Sequence, residues 1–385
     1  MIKNWCIGLF IVIGNCILNN NHGLIAQEAF FTQKDIYVSG TDGYHTFRIP
    51  SIIVTPQGTL LAFCEGRKYQ RSDTGDIDLV LKRSHNNGKI WEPMQLVWDD
   101  GPNVCGNPCA VIDRETGTIW LLMTHNLGED HERQIWDQTS KGERTVWVAK
   151  SIDDGATWSR PMEITETTKA ANWTWYATGP GVGIQLKSGR LVIPCDHGEA
   201  VTKKYYSHII YSDDQGKSWE MGGSAGDKTN ECQVLELADG TLLLNMRNYS
   251  ASRLRAISTS KDGGLTWSEV TYDHMLYEPI CQASLLRFTD EKRAGKNRIL
   301  FSNPASNTSR IMLTVRLSYD ECETWPVART LHPGPSAYSC LAILPDSTTA
   351  CLYERGEQHP YEKITFAHFN LEWLTDGKDS LLKEE

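Results

Sequence analysis

Residues 151–158 read SIDDGATW, and four relatives of this octapeptide recur: SHNNGKIW at 84–91, SDDQGKSW at 212–219, SKDGGLTW at 260–267 and SYDECETW at 318–325. Their first serines stand 67, 61, 48 and 58 residues apart. A unit repeated at such intervals marks an architecture of similar supersecondary pieces laid side by side. In each copy a short carboxylate such as Asp153 caps nearby backbone N–H groups, Gly155 takes a positive φ, and Thr157 and Trp158 open the next strand. One copy alone would be an ordinary surface hairpin; five set the period of the molecule. Two copies depart from the pattern, with Asn86 and Ile90 in the first and Cys322 in place of Gly in the fifth, and looser turns are expected there.

A second series of turns interleaves with the first. SIIVTPQGTLLAFCEGR, AVIDRETGTIWLLMT, GIQLKSGRLVIPCD, VLELADGTLLLNMR and LAILPDSTTACLYER each set a polar turn between two strand-like runs. The alternation predicts an all-β fold, a β-propeller of four-stranded blades, with about six blades filling the length. At 385 residues the chain could hold two or three domains. With no linker or low-complexity tract, a single domain over residues 27–385 is expected. Two stretches break the rhythm: residues 126–144, charged and without a strand pattern, and residues 170–180, AANWTWYATGP. The first reads as a rim loop, where binding groups often lie, and the second as an aromatic excursion.

The formal charge of −10, with no Lys/Arg-rich tract, argues against a nucleic-acid or anionic-membrane partner. An anionic ligand must therefore meet local arginines. At the N-terminus Lys3, the apolar run IGLFIVI at 7–13 and the small Ala26 read as a secretion signal over residues 1–26. The run is too short to span a bilayer, so no integral span is expected in the mature chain, which is placed outside the cytoplasm, secreted or periplasmic. Cys16 would suit a lipid anchor, but Asn15 before it does not fit that reading. Beyond the signal stand Cys64, Cys105, Cys109, Cys195, Cys232, Cys281, Cys322, Cys340 and Cys351, an odd number with room for one or two disulfides. Most lie in apolar runs, where a free thiol acts as a small hydrophobe. Cys105 and Cys109 do not form a CxxC pair; no metal and no cofactor is expected.

Phe47-Arg48-Ile49-Pro50, followed by the repeated octapeptides, carries a specific resemblance. The octapeptide resembles the Asp box, or BNR repeat, and FRIP ahead of it resembles the exo-acting, retaining sialidases of bacteria and animals. The resemblance runs from Phe47 to Arg355. It implies removal of terminal α-linked sialic acid from glycoproteins, glycolipids or oligosaccharides at the axis of the propeller. The substrate explains the residue types. Its planar carboxylate is best held by guanidinium forks, and the resemblance assigns Arg48, Arg247 and Arg310 to that clamp. A carboxylate nucleophile would be repelled by the substrate's own charge, and sialidases are the tyrosine exception among glycosidases. The matching residues are Tyr338, with Glu231 as its base.

The leaving alcohol needs a proton, which the resemblance assigns to Asp73, with Asp76 and Asp78 as nearby rivals. Arg67 resembles the arginine near the sugar O4, Glu354 the carboxylate that orients Arg48, and Asn107 a pocket residue of animal relatives. Where some relatives place tyrosines, this chain has Pro194-Cys195-Asp196-His197. His197 reads as a pocket residue or an ordinary strand-end histidine. Trp173, Trp175 and Tyr176 read as an aglycone floor or as packing. No phosphate-binding glycine loop, Ser-His-Asp order or metal-ligand cluster offers a competing chemistry. The alternatives are transfer of sialic acid to another sugar, a preference for the deaminated relative Kdn, and a non-catalytic glycan-binding propeller.

Overall fold

The computed structural model describes Met1 and residues 27–381. The proposed signal, with Lys3, Asn15, Cys16 and Ala26, lies outside the described residues. Among those described, no helix is long and apolar enough to cross a membrane.

The paired runs fold as hairpins, and the hairpins join into antiparallel meanders. Thr46–Val54, Leu60–Arg67, Ile77–Ser84 and Gln95–Trp98 form the first. Val104–Ile112, Ile119–Asn126, Thr145–Ser151 and Met162–Glu163 form the next. Leu191–Glu199, Tyr205–Ser212 and Glu220–Asp227 follow, with Trp173–Thr178 and Ile184–Gln185 both paired to the first of them. Then come Thr229–Glu236, Leu242–Asn248, Leu254–Ser260 and Thr271–Tyr277. Ser284–Thr289, Arg298–Pro304 and Ile311–Ser318 lead to Val327–Ile343, whose 17 residues run on to pair with Thr349–Arg355 and then Lys363–Phe369. The strand Phe31–Val38 completes that last sheet, in the register Phe31↔Phe369. The start of the described chain thus closes onto its end.

The octapeptide turns are the joints of this arrangement. Ser151 Oγ accepts the Gly155 N–H at 3.0 Å and Asp153 Oδ1 accepts the Thr157 N–H at 2.9 Å. The glycine is required twice over: Gly155 has φ +75°, and a Cβ there would stand 2.7 Å from Leu61 on the preceding meander. Gly216 abuts Trp120 and Gly264 abuts Ile209 in the same way, while Gly88 abuts Phe366 of the last sheet. Each turn therefore seats on the meander before it, and the first seats on the last.

Several expectations are corrected. The two irregular turns keep their hydrogen bonds: in the first an Asn carbonyl accepts as a carboxylate does, Asn86 Oδ1 taking the Ile90 N–H at 2.8 Å, and in the fifth Ser318 Oγ takes the Cys322 N–H at 3.0 Å. Cys322 instead holds φ +74°, a region that disfavours residues with a Cβ. The strand after Trp158 starts only at Met162, since Pro161 cannot donate to a ladder. Residues 126–144 contain the helix Glu132–Asp137, begun by Gln134 Oε1 accepting the His131 N–H at 2.9 Å. Residues 170–180, an excursion from the repeat in sequence, carry the strand Trp173–Thr178. The nine cysteines from Cys64 to Cys351 are free thiols, all buried but Cys322, so the room for disulfides is unused among the described residues.

Candidate active site

Strands from different meanders meet around one cavity of about 290 Å³. Its walls include Arg48, Arg67, Asp73, Asn107, Glu231, Arg247, Arg310 and Tyr338, residues scattered over almost three hundred positions of sequence. Glu354 lies behind the wall, fully buried. In a chain of formal charge −10, this cavity is lined by five arginines, the four above and Arg144.

Arg48 is fixed from two sides. Its Nε and Nη2 donate to Glu354 at 3.0 and 3.3 Å, and the ring of Tyr361 lies 3.8 Å from its guanidinium carbon. Ile49 at φ +60° breaks the strand register here and turns its own N–H onto Glu354 at 3.0 Å. A β-branched residue in that region is strained. The Arg48 Nη1 remains, 3.7 Å from Asp73. Arg310 donates to the Tyr361 hydroxyl at 2.7 Å and to the Ile280 carbonyl at 2.9 Å. Arg247 Nη1 reaches Glu231 at 2.6 Å and the Tyr338 hydroxyl at 3.0 Å.

The Tyr338 hydroxyl donates to Glu231, and the Arg48 and Arg310 guanidiniums lie 5.0 and 5.4 Å from its ring centre. Burial and then Glu231 push its phenol well above the ordinary range, while Arg247, Arg310 and Arg48 pull it down. The resting phenol is therefore protonated, and its proton points at a carboxylate.

Asp73 stands across the mouth, its side chain 62% exposed and 2.7 Å from Arg67. Desolvation at the cavity raises its carboxyl, but Arg67 and then Arg48 outweigh this and hold it at about 2. The rivals are turned elsewhere. Asp76 and Asp78 bind Lys68 at 3.1 and 3.2 Å, and Asp78 accepts from Tyr44 at 2.6 Å. They brace the base of the loop that carries Asp73.

Other site groups went unread in the sequence. Glu65 takes Arg67 at 2.6 Å and the Asn107 N–H at 2.9 Å. It lies two residues before Arg67 on one strand, and that period-two spacing was the signal for it. Arg144 donates to Asn107, Asn126 and Thr124 and sits 4.0 Å from the Trp175 ring. Asn107 thus spends its carbonyl on Arg144. Tyr361, Glu132, Asn230 and Tyr249 also line the cavity and had no local signal, whereas Asp196, also on the wall, belongs to the stretch Pro194-Cys195-Asp196-His197 that the sequence set apart. Of the aromatic trio only Trp175 reaches it; Trp173 and Tyr176 are buried. His197 is a packing residue, 3.4 Å from the Trp173 ring and lowered to about 3 by burial.

The chain is similar to known proteins over most of its length. The BNR repeat-like domain family matches residues 58–351. The sialidase of Micromonospora viridifaciens is 35% identical over 90% of this chain and 55% of its own length. That of Bacteroides fragilis is 34% identical over 83% and 62%. The exo-alpha-sialidase of Aspergillus fumigatus is 32% identical over 88% of this chain and 87% of its own. The chain thus spans little more than half the length of the first two relatives. Among solved structures, Hadza microbial sialidase Hz136 superposes with a TM-score of 0.82, at 32% identity over 89% of this chain and 69% of that one. The leech intramolecular trans-sialidase, at 19% identity over 90% and 71% with a TM-score of 0.75, shares the fold. These neighbours are β-propellers, and so is this chain. On the family match and the relatives that it spans almost in full, the chain belongs to the exo-alpha-sialidase family.

Proposed function

We propose that this propeller is an exo-acting, retaining sialidase that releases terminal α-linked sialic acid from glycoproteins, glycolipids or oligosaccharides through a tyrosine-bound intermediate. The observation that carries this reading is the Tyr338–Glu231 hydrogen bond inside a ring of three arginines, with Asp73 across the cavity. A glycan-binding propeller has no need of a phenol paired with a carboxylate opposite an acid. The catalytic groups belong to one domain, expected to act outside the cytoplasm after loss of the proposed signal.

Arg48, Arg247 and Arg310 clamp the substrate carboxylate. Its negative charge offsets the arginine field that holds Asp73 at about 2. The carboxyl rises and becomes able to carry a proton. Tyr338 Oη then attacks the anomeric carbon as its proton passes to Glu231. The bond to the aglycone breaks, and its oxygen takes the proton from Asp73. In the second half, Asp73 accepts a proton from water as the water attacks the same carbon. The bond to Tyr338 breaks and Glu231 returns the proton. Two inversions give net retention.

The test is release of fluorophore from an aryl α-sialoside, with the product anomer read by NMR. The α-anomer formed first supports the reading. A β-anomer formed first, or no release by the mature chain from acid to neutral pH, contradicts it.

A further inference from the structure

Two of the proposed catalytic groups stand on strands, Tyr338 on Val327–Ile343 and Glu231 on Thr229–Glu236, whereas Asp73 stands on the loop 68–76 between Leu60–Arg67 and Ile77–Ser84. Its side chain is largely exposed, so packing does not fix where the carboxyl lies; the tethers of the loop do. Arg67 lies 2.7 Å from the Asp73 carboxylate and donates to the Arg71 carbonyl at 2.7 Å. At the foot of the loop the Lys68 N–H donates to the Asp76 carbonyl at 3.1 Å. The Lys68 ammonium lies 3.1 Å from the Asp76 carboxylate, 3.2 Å from Asp78 and 3.9 Å from Asp99.

One ammonium thus joins the two ends of the loop to each other, to Ile77–Ser84 through Asp78 and to the end of Gln95–Trp98 through Asp99. One oxygen from each of the three carboxylates lies within 4.8 Å of the other two, so without the cation they would repel and the foot would open. Burial draws the Lys68 ammonium down, but Asp76 and then Asp78 outweigh this and raise it above the ordinary lysine range. The cation therefore stays charged at neutral pH. Asp78 is itself anchored: it accepts the Tyr44 hydroxyl at 2.6 Å, and the Tyr44 ring crosses the strand at Gly66, where a Cβ would stand 2.7 Å from it.

We infer that Lys68 is a positioning residue of the reaction: it stands off the cavity wall and, by pinning both feet of the loop, holds Asp73 where the leaving oxygen can take its proton. The inference rests on the sialidase reading above, in which Asp73 is that acid. A proton donor matters more the more basic the leaving group is. An alkoxide cannot leave without a proton, whereas a nitrophenolate can. A displaced acid therefore slows an alkyl sialoside and spares a nitrophenyl one, while general damage to the cavity slows both.

The test compares kcat/KM, which covers the steps up to release of the aglycone, for methyl and 4-nitrophenyl α-sialosides. Lys68→Met should lower it about 10–100-fold for the methyl substrate and by less than about threefold for the nitrophenyl one. Lys68→Arg, which keeps the charge, should bring the methyl substrate back to within about threefold of the wild type. Asp76→Ala, which frees the other foot, should repeat the contrast and serves where Lys68→Met does not fold. An equal fall for both substrates in the folded variants, or no fall for either, overturns the inference. If Asp73→Asn slows the two substrates equally, Asp73 is not the acid and the inference falls with that role. A wild type that cleaves neither substrate overturns the sialidase reading itself.

Discussion

Glu354 joins the first arginine of the clamp to the backbone of the proposed nucleophile. One oxygen accepts Arg48 Nε at 3.0 Å and the Ile49 N–H at 3.0 Å; the other accepts Arg48 Nη2 at 3.3 Å and the Tyr338 N–H at 3.1 Å. Four donors fill one buried carboxylate, so the distance from clamp to phenol is set by a single side chain.

Glu354→Gln should keep the fold yet lower kcat/KM by about 10–100-fold, because the amide can no longer accept from all four donors. Glu354→Ala should in addition destabilise by about 3–5 kcal/mol, since it leaves Arg48 buried without its partner. Steady-state kinetics and urea denaturation measure the two effects.

The Asp73 carboxyl should titrate near 2 in the free protein and move upward when a non-hydrolysable sialic acid analogue fills the clamp. Its folded value lies below the usual 3.8, so the stability it contributes is present above pH 4 and is lost as the pH falls toward 2. Carbon-13 NMR of labelled aspartate reads both states. An unchanged midpoint on binding contradicts the role given to the substrate charge.

His197 and His208 form a buried pair, Nδ1 to Nδ1 at 3.1 Å, and burial lowers both rings. The unfolded rings protonate near 6.5 and the folded ones only far lower, so stability should fall as the pH drops from 6.5 toward 3. The slope should approach about 1.4 kcal/mol per pH unit for each histidine. Replacing both by Phe should flatten it in denaturation curves taken across that range.

The fifth octapeptide position is a left-handed glycine in four copies, and Cys322 alone sets a side chain at that position. Cys322→Gly should stabilise by about 0.5 kcal/mol, relief of strain outweighing the added freedom of the unfolded chain. Gly216→Ala should destabilise by about 1–3 kcal/mol, because its Cβ would stand 2.2 Å from Trp120. Thermal and urea unfolding check both signs.

The repeat was legible because each turn is local: the serine, the carboxylate and the glycine that bond one another lie within five residues. The clamp and the Tyr338–Glu231 pair were legible only through family order, since nothing near Tyr338 in sequence shows that Glu231 will meet it. Glu65 was readable from strand alternation with Arg67. Tyr361 and Arg144 were not, because their roles come from contacts that form only when separate meanders meet. Trp175, rather than Trp173, reaches the cavity through a register shift between Trp173 and Tyr176 that no residue in that stretch announces.

The most direct test of the central claim is to treat the protein with a fluorinated sialic acid that forms a slowly hydrolysed adduct, and to map the added mass by peptide mass spectrometry. The account predicts one adduct per chain, on Tyr338, absent in Tyr338→Phe. An adduct on Asp73 or Glu231, or none in a protein that still releases sialic acid, would contradict it.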